Sequence, residues 1–261
     1  MRELTRSEVG SMQPVRQPEI IALEPEAPPL GELFLFMRDA ELRFESMRMR
    51  IIDRTFNALG ETRQSVEVWL RHPGHAKVTT GFDTGPGGDS ALRKNFRVWV
   101  TNNGEIQIYD SVSNTTSRRP ALGAPRGTDD RSLPAFGRVY TPLTDLPHGS
   151  VADTFIHPHG FCRNVLTTGP ASILGTVRTA GEREAFLLRV DHPRRAEVLN
   201  DRPDRWLEVA VDRMSGIILL LVEHVGDRVT RHADVEHLEL DAPIADDAFR
   251  IFASQGTARI F

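Results

Sequence analysis

The hydrophobic period of the chain changes once, and that change constrains the fold more than any other feature. Between Leu30 and Leu42, Leu33, Phe36, Met37 and Ala40 recur at i, i+3, i+4 and i+7, while Glu32, Arg38, Asp39 and Glu41 take the other side. That spacing predicts one amphipathic helix of about three turns. From Met47 onward the period is 2. Met47, Met49 and Ile51 alternate with Ser46, Arg48 and Arg50; Val66, Val68 and Leu70 alternate with Ser65, Glu67 and Trp69. Phe96, Val98 and Val100 alternate with Arg97 and Trp99, and Leu207, Val209 and Val211 with Glu208 and Asp212. Each run reads as a strand with one buried face. Pro73-Gly74, Asn102-Asn103-Gly104, Met214-Ser215-Gly216 and Gly226-Asp227 separate the runs, and such residues supply hairpin turns. Strands adjacent in sequence therefore pair in space. The fold class expected is mostly β (α+β), an antiparallel sheet curled around an apolar interior with the N-terminal helix packed on it.

With 261 residues the chain can bury a large core. Residues 1–29, polar and proline-bearing, read as an arm, and residues 30–261 as a single domain. Residues 81–94 are glycine-rich, and Gly85-Pro86-Gly87-Gly88 lacks the Lys-Ser/Thr of a phosphate loop. Residues 111–163 carry six prolines and little periodicity. A long irregular segment inside a compact domain is commonly functional, and this one falls where a lid over a concave sheet would sit. The formal net charge of −4 argues against a nucleic-acid-binding surface. The single cysteine, Cys162, excludes an intrachain disulfide and points to a reducing compartment. The N-terminal stretch holds no apolar run of leader type, and no window is apolar enough for a membrane span. A cytoplasmic setting is the expectation.

Three motifs carry a family resemblance. Val66-Glu67-Val68-Trp69-Leu70-Arg71-His72-Pro73 is a strand ending in Trp, an aliphatic residue, a basic residue, one more residue and Pro. Trp99 to Asp110 is a hairpin with an Asn-Gly turn and a following aromatic. Glu208 to Asp212 with Gly216 to Leu219 forms a strand, an Asp-x-x-x-Gly turn and an aliphatic strand. The final stretch, Leu238 to Phe249, closes with Asp-x-x-Phe. Over residues 30–252 this order resembles the LolA-like superfamily, with its lipoprotein carriers and the related RseB/MucB-type sensor domains. The resemblance implies an incomplete antiparallel barrel, a helix-bearing lid and a concave apolar surface that takes acyl chains. In the carriers an arginine before the motif proline helps latch the lid; here that residue is His72.

The expected function is a non-enzymatic binding protein without a cofactor, holding an acyl chain or lipidated peptide. Met47, Met49, Ile51, Val68, Leu70, Val98, Val100, Val209 and Leu219 are the candidate ligand-facing residues, and the plain-core reading of the same residues is favoured over a hollow interior. His72, Arg48 and Arg50 are candidates for lid or latch contacts, although the two arginines also fit a solvent face. A regulatory module that binds another protein is a second reading. A third is a metal-dependent enzyme. His157, His159 and Cys162 offer nitrogen and sulfur ligands suited to zinc or copper, but Pro158 makes the spacing atypical, and a turn with Cys162 buried as a small hydrophobe serves as well. Trp69 and Trp99 read as outward aromatics, either a cross-strand pair or part of a binding surface.

Overall fold

The computed structural model describes residues 17–83, 95–102, 104–121, 141–193, 202–251 and 258–260. Part of the N-terminal arm, most of the glycine-rich stretch and residues 122–140 of the midchain segment lie outside the described residues.

The chain opens with α1 (Leu30–Arg38), which buries Leu33, Phe34, Phe36 and Met37. The period-3.6 pattern continues to Leu42, yet the α-helix stops at Arg38. Asp39 departs from helical geometry, and its carboxylate binds the Arg38 guanidinium at 2.6 and 2.7 Å and the backbone N–H of Glu19 at 3.0 Å. Such short acidic side chains compete for backbone donors and end helices. A 3-10 turn, Ala40–Arg43, carries the pattern on.

Six strands follow: β1 (Ser46–Asn57), β2 (Gly60–Arg71), β3 (His75–Asp83), β4 (Phe96–Asn102), β5 (Glu105–Asp110) and β6 (Thr115–Pro120). Two short helices, α2 (Val151–Ile156) and α3 (Pro158–Phe161), and a π turn, Cys162–Leu166, precede the second block. That block is β7 (Ala171–Arg178), β8 (Glu184–Asp191), β9 (Arg205–Asp212), β10 (Ile218–Val225) and β11 (Arg228–Leu240), and β12 (Ala258–Ile260) ends the chain.

Among the described residues all twelve strands share one sheet in the order β12-β6-β5-β4-β3-β2-β1-β11-β10-β9-β8-β7. Eleven pair antiparallel, and β12 adds in parallel to β6. Each block is a meander, and the two join where β1 pairs with β11. The sheet does not close into a barrel, because β12 and β7 remain at opposite edges. This topology has a direct consequence for the midchain segment. Since β6 and β7 lie on opposite sides of the sheet, the chain between them must cross it. It crosses on the inner face, where Phe155, Ile156, Cys162 and Leu166 join Phe36 and Met37 of α1 in one buried cluster with the strands.

Register decides which side chains face that cluster. Val68 lies opposite Val78, and Val78 opposite Trp99. Trp99 is therefore inward and buried, whereas Val98 and Val100 point to the outer face. There they pack with Ile244 and Phe249 from the segment after β11. This corrects the sequence expectation for β4. Both of its faces are apolar and covered, so alternation could not say which looked inward. Trp69 does point outward, but it faces the Arg48 guanidinium at 5.1 Å rather than Trp99.

Candidate functional site

The inner face of the sheet is a continuous apolar surface. Met47, Met49 and Ile51 of β1, Val68 and Leu70 of β2, Val209 of β9 and Leu219 of β10 are each no more than 2% exposed and belong to one cluster. Leu219 reaches it through a bulge between Ile218 and Leu220. In this structure they share one buried cluster with α1 and the crossover helices. Val98 and Val100 are not among them.

Polar contacts hold the crossover segment at one end of the sheet, where β1 starts and β2 ends. The His72 Nδ1 atom lies 2.8 Å from the Thr144 hydroxyl. The backbone N–H of Gly74 donates to the same hydroxyl at 2.8 Å and to the carbonyl of Leu143 at 3.1 Å. On the other side, the Leu143 N–H donates to Glu41 Oε2 at 2.8 Å. His157, fully buried, stands between two carboxylates, with Nδ1 3.0 Å from Asp153 Oδ1 and Nε2 3.5 Å from Glu41 Oε2. Burial and the neighbouring His157 charge push the His72 imidazole down to about 3, so this ring is neutral at ordinary pH.

Local sequence explains the placement of these groups. Ser150 caps α2, its hydroxyl accepting the Asp153 N–H at 3.2 Å. Asp153 and His157 are four residues apart, so α2 brings them to one face. His72 is thus at the position the family resemblance gives to a latch, and it contacts the crossover segment through Thr144. Glu41, Leu143 and Thr144 escaped the sequence reading. The Ser150-x-x-Asp153 cap and the acid–histidine spacing were available signals for Asp153; nothing local marked the other three.

Arg48 and Arg50 lie elsewhere. They project from the outer face and pair with β11, Arg48 with Glu239 at 3.9 Å and Arg50 with Glu236 at 3.4 Å. The cause is the pleat, which sends them opposite to Met47, Met49 and Ile51. The metal reading also fails to gain support. His157 is engaged by carboxylates, and the buried Cys162 thiol contacts Met37 Sδ at 3.7 Å. Among the described residues no group of three or more His, Cys, Asp or Glu side chains is arranged to hold a metal ion. Burial raises the Cys162 pKa well above the ordinary thiol range, which suits a packed side chain and not a nucleophile.

Beside His72, an open cleft of about 1310 Å³ is lined by residues including Ile21, Phe44, His72, Leu143, Met214 and Pro243. Ile21 and Met214 are 82% and 72% exposed. At the opposite end of the inner face a charged network interrupts the apolar surface. Arg231 grips Asp53 with two hydrogen bonds of 2.8 and 2.9 Å, and Arg205 binds Glu223 at 3.1 Å.

No protein-family model matches the sequence. No curated protein matches it either. Several solved structures are similar. The MucA/MucB complex of Pseudomonas aeruginosa matches at a TM-score of 0.46 and 16% identity, over 85% of this chain and 61% of that one. This chain thus spans about three-fifths of the length of MucB. An uncharacterised conserved protein from Thermus thermophilus matches at a TM-score of 0.46 and 10% identity, over 89% of this chain and 99% of that one. A LolA-superfamily protein from Nitrosomonas europaea matches at 0.33 and 8%, over 86% and 99%. The cytoplasmic expectation gains no support from these similarities. Among the described residues no helix is long and apolar enough to cross a membrane.

Proposed function

We propose that the chain is a non-enzymatic binding protein that takes an apolar ligand, an acyl chain or a lipidated peptide, onto the inner face of its sheet. One observation carries this reading. A continuous apolar face is covered by two short helices, α2 and α3, and the adjoining segment is tied down at one end by a small set of polar contacts. Helices of four to six residues have little stability of their own, and they depend on the surface beneath them. They act as a lid. Lifting it uncovers apolar surface, which a ligand re-covers at about 25 cal/mol per Å². No charged contact is needed for such binding.

The test is uptake of a fluorescent fatty acid by the purified protein, with native mass spectrometry of protein prepared from its own host. An adduct of lipid mass and saturable uptake are expected. A bare mass together with no uptake would remove the proposal.

A second reading rests on the cleft beside the latch. Its exposed Ile21 and Met214 favour a protein partner, as in a regulatory or sensor module. A partner recovered by pull-down without lipid, and lost in the Met214→Glu variant, supports that reading over the first.

A further inference from the structure

We propose that the lid is released by acid, and that His72 is the group whose protonation opens it. The inference rests on the ligand-binding reading for its purpose, but not for its test.

The Phe44 ring lies on one side of His72, with centroids 5.1 Å apart. Thr144 of the crossover segment, itself buried, meets Nδ1. The nearby group that opposes a proton on His72 is His157, which lies between Asp153 of α2 and Glu41 of the 3-10 turn. Both carboxylates also accept from backbone donors, Leu143 for Glu41 and Gly149 for Asp153. A proton added to His72 therefore enters a desolvated site next to a like charge.

Closure and protonation of His72 exclude one another to the extent of its displaced pKa. Closed, the imidazole has a pKa of about 3. With the lid lifted, the ring meets water and regains its ordinary value near 6.5. The sign follows from linkage: a base whose pKa is depressed in the closed state stabilises closure fully above about pH 6.5, and that contribution is lost as pH falls toward 3. Through most of that window each pH unit shifts the balance about tenfold toward the open lid.

Hydrogen exchange of the ligand-free protein tests this between pH 7 and 4, with rates corrected for intrinsic exchange. Amides of residues 143–157 should lose protection about tenfold per pH unit below about 6.5, while those of β9 and β10 stay protected. His72→Asn keeps a partner for Thr144 but cannot titrate, and it should abolish the steep dependence. His72→Gln serves if the first variant does not fold. Protection independent of pH in the wild type, or an equally steep loss in the folded variant, overturns the proposal. So does an NMR titration that finds His72 protonating near pH 6.5 with the lid still protected. Because no ligand is present, failure here leaves the binding reading untouched, and failure of lipid uptake leaves this result standing.

Discussion

His72 and Thr144 meet at 2.8 Å across the boundary between the β2–β3 turn and the crossover segment, 72 residues apart in sequence. The contact joins the sheet to the crossover segment, and both partners are largely buried. Replacing Thr144 with Val keeps the shape and removes the hydroxyl, leaving the His72 ring and the Gly74 N–H without that partner. A loss of about 1–3 kcal/mol in lid closure is expected from unsatisfied buried groups. Faster uptake of a fluorescent fatty acid, with β9 and β10 amides still protected, is the readout. An unchanged rate would mean that the latch lies elsewhere.

Asp212 is a second buried acid with a different task. It is 1% exposed, accepts two hydrogen bonds from Arg183 at 2.8 and 2.9 Å, and accepts the N–H and hydroxyl of Ser215 at 2.9 and 2.6 Å. It thereby fixes the turn between β9 and β10. Asp212→Ala should destabilise the protein by about 3–5 kcal/mol, since it strips the partner from a largely buried arginine as well as two donors. Urea unfolding measures this. A change below about 1 kcal/mol would show that water replaces the carboxylate.

The two faces of the sheet should separate in their responses. Phe249→Ala removes a buried ring from the outer cluster with Val98 and Val100, and large-to-small changes of this kind cost about 3–5 kcal/mol. Ligand uptake by the folded variant should be unchanged. Val209→Ala on the inner face should lower both stability and affinity. Equal loss of uptake from the two variants would contradict the assignment of faces.

Arg48 and Arg50 should matter little. Their ion pairs with Glu239 and Glu236 are partly exposed, and such pairs contribute about 0–1 kcal/mol. Alanine at either position should leave lid protection unaltered. A large effect on the lid would restore the latch role that the outer-face geometry removes.

Cys162 should resist thiol reagents in the folded state and react at once after denaturation, because it is fully buried against Met37. Rapid labelling at neutral pH without unfolding would show that the crossover helices lift far more often than a packed lid allows.

Much of the fold was legible because period and turn chemistry are local. The Met47–Ile51 alternation and the Asn-Gly and Pro-Gly turns marked strands and their order. They did not mark how far β1 runs. Asp53 and Thr55 look unsuited to an inner face, and Asp53 is accommodated there by Arg231 from β11, a partner 178 residues away. The facing of β4 was hidden for a similar reason, since Val98 and Val100 are covered by Ile244 and Phe249 from beyond β11. His72 was singled out by its place before Pro73, but Thr144, Leu143 and Glu41 become its neighbourhood only when the crossover segment lies across the sheet. Latches built from separate elements leave no local period to read.

The most direct measurement places the ligand. Laurate is added to protein with 13C-labelled Ile, Leu and Val methyl groups, and intermolecular NOEs from its chain are assigned. Contacts to Ile51, Val68, Leu70 and Val209, with none to Val98 or Val100, are the expected result. Laurate that gives no contact to the inner-face methyls, or contacts confined to the outer face, would contradict binding beneath the lid.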